Sequence, residues 1–430
     1  MAERRTVRPW VWALGALVAV LLLAFALVVG PWLLTRYPQK GLTSEQSLKA
    51  KNDVRTTLVQ ALAGLAVAGG LAVTYSTYRQ NQRDQAARRE EQDRAHQLSV
   101  ARHVNDLYTK AVEQLGHDQA PVRLGALYSL VHLAQANPEQ RQTVVDVLCA
   151  YLRMPYSLPD PPTPSMRQEY AEQLQVRLTV QRLLADHLRV PDGVSSDDVQ
   201  KLLPSPGEPF WPGISLNLAG ATLIGFDFRR ASVIRATFDR ATFAEYTYFN
   251  SATFNSGASF REATFLDVTW FGEATLADKA DFREATFTRE VKFVGTVFTG
   301  SAWFNEVTFK HDARFPFSTF GDSATFYEAN FIGGAWFDDV NFGGIAFFKK
   351  TIFSGGASFG GANASGADFP GARVLPFDDE YLNSDRDVMR VWPRGWTVRP
   401  DADDPTRGTL VRDEQAGPSG RATPSGSTAA

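Results

Sequence analysis

Between residues 287 and 326 a phenylalanine returns at every fifth or sixth position: Phe287, Phe293, Phe298, Phe304, Phe309, Phe315, Phe320 and Phe326. A small residue stands two places before many of them, as at Ala285, Ala302, Ala313 and Ala324. Repetition at a fixed short period means a stack of like units, each covering its neighbour's apolar face. The chain holds 30 Phe, and all but Phe25 lie between Phe210 and Phe377, so the bias belongs to one domain.

Numbering each unit by its large residue i places 30 centres from Leu218 to Val374, 24 of them Phe. Position i−2 is most often Ala. Thr is common at i−1 (Thr242, Thr253, Thr264, Thr286, Thr325), and Arg, Glu, Asp, Gly and Asn follow the centre. In an extended backbone i−2 and i share one side, so each unit turns a small and a large residue inward and its polar residues outward. A five-residue unit of this kind turns a corner each time.

These units resemble the pentapeptide-repeat family, whose repeat is A(D/N)Lxx or A(T/D)Fxx. Ala231-Ser-Val-Ile-Arg, Ala236-Thr-Phe-Asp-Arg, Ala241-Thr-Phe-Ala-Glu and Ala367-Asp-Phe-Pro-Gly carry the resemblance. It covers about 160 of the 430 residues. It implies a right-handed quadrilateral β-helix, four units to a coil, of about seven coils. Residues Tyr108-Thr-Lys-Ala-Val-Glu-Gln-Leu-Gly and Val122-Arg-Leu-Gly-Ala-Leu-Tyr-Ser-Leu further resemble a module of membrane-anchored actinobacterial members.

One departure from the family pattern is informative. From Phe238 to Phe359 the steps alternate strictly between five and six, a period of 11. Each six-step widens a corner, as at Thr299-Gly-Ser, Gly321-Asp-Ser, Ile332-Gly-Gly and Ser354-Gly-Gly. Many of these are turn residues suited to positive φ or to bonding their own backbone. With four units per coil, the wide corners are expected on opposite sides of a rectangular cross-section.

Tyr248, Trp270, Trp303, Trp336 and Phe347 occupy i−1 and are expected to face solvent as candidate partner-binding residues. Their numbers differ by multiples of 11, which puts Trp303, Thr325 and Phe347 on one face. Tyr248, Trp270 and Trp336 fall on the opposite one. The alternative is that a wide corner or the C-terminal flank covers them.

Ahead of the repeats, Trp10 to Leu34 and Thr56 to Tyr78 carry no charge, and each is long enough to span a bilayer. The first is too long for the apolar core of a secretory signal, and Gly30-Pro31-Trp32 is no small-x-small cleavage site. Gly15 and Ala19 in the first span, and Gly64, Ala68 and Ala72 in the second, are candidates for close helix packing. Arg4, Arg5, Arg8, Arg79, Arg83, Arg88, Arg89 and Arg94 outnumber Arg36, Lys40, Lys49, Lys51 and Arg55 of the connecting loop, which favours both termini in the cytoplasm.

The expected organisation is a cytoplasmic tail (1–9), transmembrane helices at 10–34 and 56–78 around a short external loop (35–55), then a helical stalk and module (79–203). The module resembles a HEAT or armadillo hairpin, with a Pro-rich linker at 155–164. The β-helix follows (214–376), then a C-terminal cap (377–412) built on Trp396-Thr-Val-Arg and Thr409-Leu-Val-Arg, and a disordered tail (413–430).

Functional classes narrow accordingly. A net charge of −3 is no nucleic-acid footprint, Cys149 stands alone, and the six His show no metal-ligand spacing. No phosphate-binding Gly loop, nucleophile elbow or dinucleotide motif occurs. The closest approach to a catalytic pair is His311-Asp312. No catalytic residue, cofactor or metal is expected. The expected role is a non-enzymatic, multi-pass membrane scaffold that presents the β-helix to a protein partner, with the lipid bilayer and a possible second copy as further partners and no nucleic acid. The alternative is a DNA-mimicking gyrase-protection protein, which needs a carboxylate-dense rod. Residues 216–374 instead mix 17 Asp and Glu with 14 Lys and Arg.

Overall fold

The computed structural model describes residues 25, 28, 29, 32, 43–156, 164–194, 196–199, 201–364, 366–376 and 389–413. Gly15, Ala19, the expected cytoplasmic tail (1–9), most of the first expected span and residues 414–430 lie outside them. The chain divides into Met1–Arg102 and His103–Ala430.

In the first unit the described chain is the helix α1 (Ser44–Leu115), whose last turns belong to the second unit. The expected loop over residues 35–55 is corrected for 44–55, which are helical, while 35–42 lie outside the described residues. Residues 44–115 contain no proline, and the uncharged run continues into Gln-, Arg-, Glu- and Ala-rich sequence of high helix propensity. Among the described residues α1 alone is long and apolar enough to cross a membrane. Gly64, Ala68 and Ala72 lie at i, i+4 and i+8 on it, exposed on one face, and a Cβ on Gly64 would meet nothing within 4 Å.

In the second unit, α1 ends at Gly116, and α2 (Ala120–Ala136), α3 (Arg141–Arg153) and α4 (Pro164–Leu188) follow. Leu115, Leu127, Leu130, Val144, Leu148, Leu152, Val176, Val180 and Leu184 form their common core. The repeats then build a four-sided solenoid. Its strands are two or three residues long and lie in four sheets, parallel throughout the repeats. Ala258 pairs with Ala280, Ala280 with Ala302, Ala302 with Ala324 and Ala324 with Ala346, so these coils take 22 residues each. One sheet carries eight parallel strands from Thr222 to Val374, which makes about seven turns.

The period of 11 leaves a clear mark. On two opposite faces the strand is the pair before the centre, as in Ala258-Ser259 and Thr247-Tyr248. On the other two it is the residue before the centre and the centre itself, as in Thr264-Phe265 and Thr253-Phe254. The three-residue corners, such as 266–268 and 299–301, are diagonally opposite, in agreement with the alternation of steps.

The interior is a stack of rings. Phe238, Phe260, Phe282, Phe304, Phe326, Phe348 and Phe369 form one column, with centroid spacings of 4.6–4.9 Å and planes within 10° of parallel. Rings in the facing column meet them edge-on, as Phe282 meets Phe293 at 5.5 Å and 86°. Inward Thr and Ser that replace Ala keep their hydroxyls bonded: Thr296 Oγ1 donates to Phe271 O at 2.8 Å and Thr351 Oγ1 to Phe326 O at 2.7 Å.

The corners differ from expectation. The tight ones are turns in which the residue after next from the centre has positive φ, and most are not Gly: Glu262, Glu273, Glu284, Glu306 and Glu328 have φ of 55–62°. Wide-corner glycines such as Gly300 serve close approach between coils instead, and Gly257 does both, with φ of +102° and an added Cβ 2.8 Å from Lys279 O. Gly300 has ordinary φ, and a Cβ there would lie 1.7 Å from Asp278 O of the coil below.

Both open ends of the rod are covered. Gln142 and Gln181 each pair in both directions with the first coil. Gln181 Nε2 donates to Ile224 O at 2.8 Å while Ile224 N donates to Gln181 Oε1 at 3.0 Å. Gln142 does the same with Ser215. Trp211, fully buried, stacks on His187 at 4.1 Å and donates its indole N–H to Gln135. At the far end Gly408–Arg412 pairs antiparallel with Arg373–Val374 and with Trp396–Pro400, and Trp392 and Trp396 close over Phe353, Phe359 and Phe369.

Two glycines five residues apart separate these effects. Gly295 has φ of +65° with only Glu273 Cγ near its absent Cβ, at 3.9 Å. Gly295→Ala is expected to cost about 1 kcal/mol, the left-handed penalty. Gly300→Ala forces backbone apart and is expected to cost about 3 kcal/mol or more. Urea unfolding of the two variants checks the order.

Candidate interaction surface

The register places the outward aromatics in two columns. Trp303 pairs with Thr325 and Thr325 with Phe347 on one face. On the opposite face Tyr248, Trp270, Lys292, Arg314, Trp336 and Ser358 follow in order.

These side chains are not equally open. Trp336 is only 3% exposed, which corrects its assignment to solvent. Its indole N–H donates to Asp312 Oδ2 at 3.1 Å, its ring lies against Gly334, and the Arg314 guanidinium sits 5.7 Å from the ring centre. A Cβ on residue 334 would lie 2.4 Å from that indole nitrogen, so the Gly333-Gly334 corner is what lets the ring fold down. Trp336 is a packing residue.

Asp312 belongs to the same arrangement. It is buried and also accepts from Gly334 N and Arg314 Nη2, both at 3.0 Å. Three donors use this carboxylate to fix a corner, so the His311-Asp312 pair is turn structure. Cys149 is equally inert. Burial among apolar groups pushes its thiol up to about 12, so it stays protonated. No cluster of His, Cys, Asp and Glu able to hold a metal occurs among the described residues.

Tyr248, Trp270 and Trp303 are half-buried and lie under cations. Tyr248 and Trp270 stack at 4.7 Å and 10°, with Arg229 5.1 Å from the Tyr248 ring and Lys292 5.6 Å from the Trp270 ring. Trp303 lies under Arg283 at 4.9 Å and Lys279 at 5.6 Å. Carboxylates pin these cations: Arg229 to Asp227, Arg283 to Asp281, Lys292 and Arg314 to Glu290. The bidentate Arg229 pair holds Asp227 below the usual carboxylate range, against a burial effect in the other direction. Phe347 is 36% exposed, the most open of the five.

Two exposed rings escaped the sequence reading. Tyr246, at a wide corner, is 52% exposed and 5.7 Å from Trp270, so it extends the Tyr248–Trp270 stack. Phe317 is 66% exposed at a tight corner with φ of +57°, where other coils carry Arg, Lys, Glu, Asp, Ser or Gly. The signal for both was an aromatic outside the i and i−1 positions.

Residues 271–319 match the family profile described as Pentapeptide repeats (9 copies). The solenoid is a pentapeptide-repeat domain. That match lies within the stretch of strict 11-residue period, and the four sheets continue the same architecture on both sides of it. No curated protein and no solved structure matches the chain. A pentapeptide-repeat solenoid is a fold not typically enzymatic, and one that suggests protein interaction.

The two faces of one column should respond differently. Trp336→Ser removes a buried ring and one of the three donors to Asp312, with an expected loss of about 3–5 kcal/mol. Trp270→Ser, half-exposed, should lose about 1–2 kcal/mol. Thermal melts of the two variants compare them.

Proposed function

We propose that the protein is a non-enzymatic, membrane-anchored scaffold whose pentapeptide-repeat solenoid docks a protein partner. The observation that carries this is the Tyr246, Tyr248 and Trp270 cluster, flanked by Arg229 and Lys292 on a sheet face of fixed register. Trp, Tyr and Arg dominate binding hot spots, because a large ring loses little side-chain entropy and a guanidinium adds directional donors. Cation and ring are already positioned against each other before a partner arrives, which lowers the ordering cost of association.

Anchoring rests on the uncharged run of α1 from Thr56 to Tyr78. With the second uncharged run at 10–34, the chain passes the bilayer twice and both termini lie in the cytoplasm. The exposed face of Gly64, Ala68 and Ala72 suits packing against the first span or a second copy.

DNA mimicry is disfavoured. Glu262, Glu284, Glu306 and Glu328 do share one ridge at intervals of a coil, but Arg261 pairs with Glu284 at 3.1 Å and Lys350 with Glu328 at 2.7 Å. A DNA gyrase supercoiling assay with the full chain is expected to show no protection.

Proximity labelling from the full-length protein in its host membrane, compared with the Tyr246→Ser, Trp270→Ser double variant, tests the scaffold reading. A set of neighbours lost in the variant, with the melting temperature lowered by no more than about 5 °C, is the expected result. An unchanged labelling pattern refutes docking on this face.

A further inference from the structure

The helical module holds a cleft of about 480 Å3 that the scaffold role does not use. Leu115, His117, Arg123, Tyr151, Met154 and Arg177 contribute to its lining. Its volume falls in the range of small-molecule sites. Its walls combine apolar side chains with a concentration of donors.

The two arginines are unusual in their surroundings. Arg177 is 4% exposed, and its terminal nitrogens donate to Leu152 O, to Met154 O at 3.3 Å and to Thr222 O at 3.3 Å. Its guanidinium also stacks on the Tyr156 ring at 4.8 Å. These contacts fix the side chain at the C-terminal end of α3, where a cation is favoured, yet leave Nε buried with no partner. Arg123 likewise buries its Nε without a partner. A buried donor left unbonded is destabilising, so two beside one cleft mark a place where hydrogen-bonding capacity is unmet.

Tyr151 belongs with them. Burial holds its phenol above the ordinary value, against the opposing pull of Arg123 and Arg177, and all three side chains line the cleft. The phenol therefore remains an O–H donor. Asp118 also lines the cleft but forms no ion pair with either arginine among the described residues.

We propose that this cleft binds a small organic anion, with a carboxylate or phosphate group taken by Arg123 and Arg177 and an apolar body against Leu115 and Met154. Arginine suits either oxyanion because its planar donors match the spread of two oxygens. The two guanidinium charges supply the attraction, and the apolar wall of Leu115 and Met154 supplies selectivity over inorganic ions.

Calorimetric titration of the full-length protein in a non-ionic detergent tests this, with phenyl phosphate, phenylacetate and benzyl alcohol as probes. The expected result is one-to-one binding of at least one of the two anions, no measurable binding of the neutral alcohol, and at least a tenfold loss of affinity in Arg123→Gln. Arg123→Lys keeps the charge but lacks the planar fork of donors, and is expected to lose affinity as well, which covers the case in which the glutamine variant folds poorly. Absence of binding by both anions at millimolar concentration, equal binding of benzyl alcohol, or wild-type affinity in the lysine variant would overturn the proposal.

Discussion

The structure depends on one coincidence of lengths. Parallel strands lie about 4.8 Å apart, and that is also a comfortable spacing for offset-stacked aromatic rings. A coil that repeats in register therefore sets each Phe on the Phe beneath it, as the spacing of 4.8 Å from Phe282 to Phe304 shows. Ring stacking and backbone pairing then favour the same register. Neither would persist alone, because strands of two residues have little pairing energy and an unregistered pile of rings has no reason to form columns. Ala at i−2 completes the interior by leaving room for the ring of the next column.

A solenoid of this kind leaves a problem at each end, where strand edges and the last rings face open space. Here polar side chains take over the backbone's role at the first coil. The amides of Gln142 and Gln181 carry one donor and one acceptor each, in the same arrangement as a peptide group, and so stand in for a preceding strand. At the last coil a true strand, Gly408–Arg412, completes the edge and two Trp rings close the columns. The helical module thus stabilises the solenoid as well as preceding it. Its core runs into that of the repeats without a break.

Much of this was legible from spacing alone. The alternation of five and six located the wide corners on diagonally opposite edges, because side-chain direction and coil length follow from the numbers of residues. The column membership of Trp303 and Phe347, and of Tyr248 and Trp270, followed in the same way. Exposure did not. Trp336 holds the same repeat position as Trp270, and the difference lies in Asp312 one coil below and Gly334 beside it, neighbours that no single repeat unit contains. The glycines were misread for a related reason. A one-dimensional pattern shows where the chain turns, whereas the contact of residue 300 with Asp278 O exists only between coils. The capping role of Gln142 and Gln181 was hidden because glutamine in a helix is ordinarily a surface residue.

The rod therefore depends on its stacked rings, and strand pairing and corner chemistry do not hold it without them. Native-state hydrogen exchange on Phe304→Ala and Phe304→Leu tests this most directly, since Phe304 is fully buried in mid-column and Leu276 shows that the fold admits leucine at a centre. The expected result is a loss of about 3–5 kcal/mol for alanine, with protection falling in the coils above and below, and a much smaller loss for leucine. An alanine variant within about 1 kcal/mol of the wild type, with protection unchanged in the neighbouring coils, would contradict it.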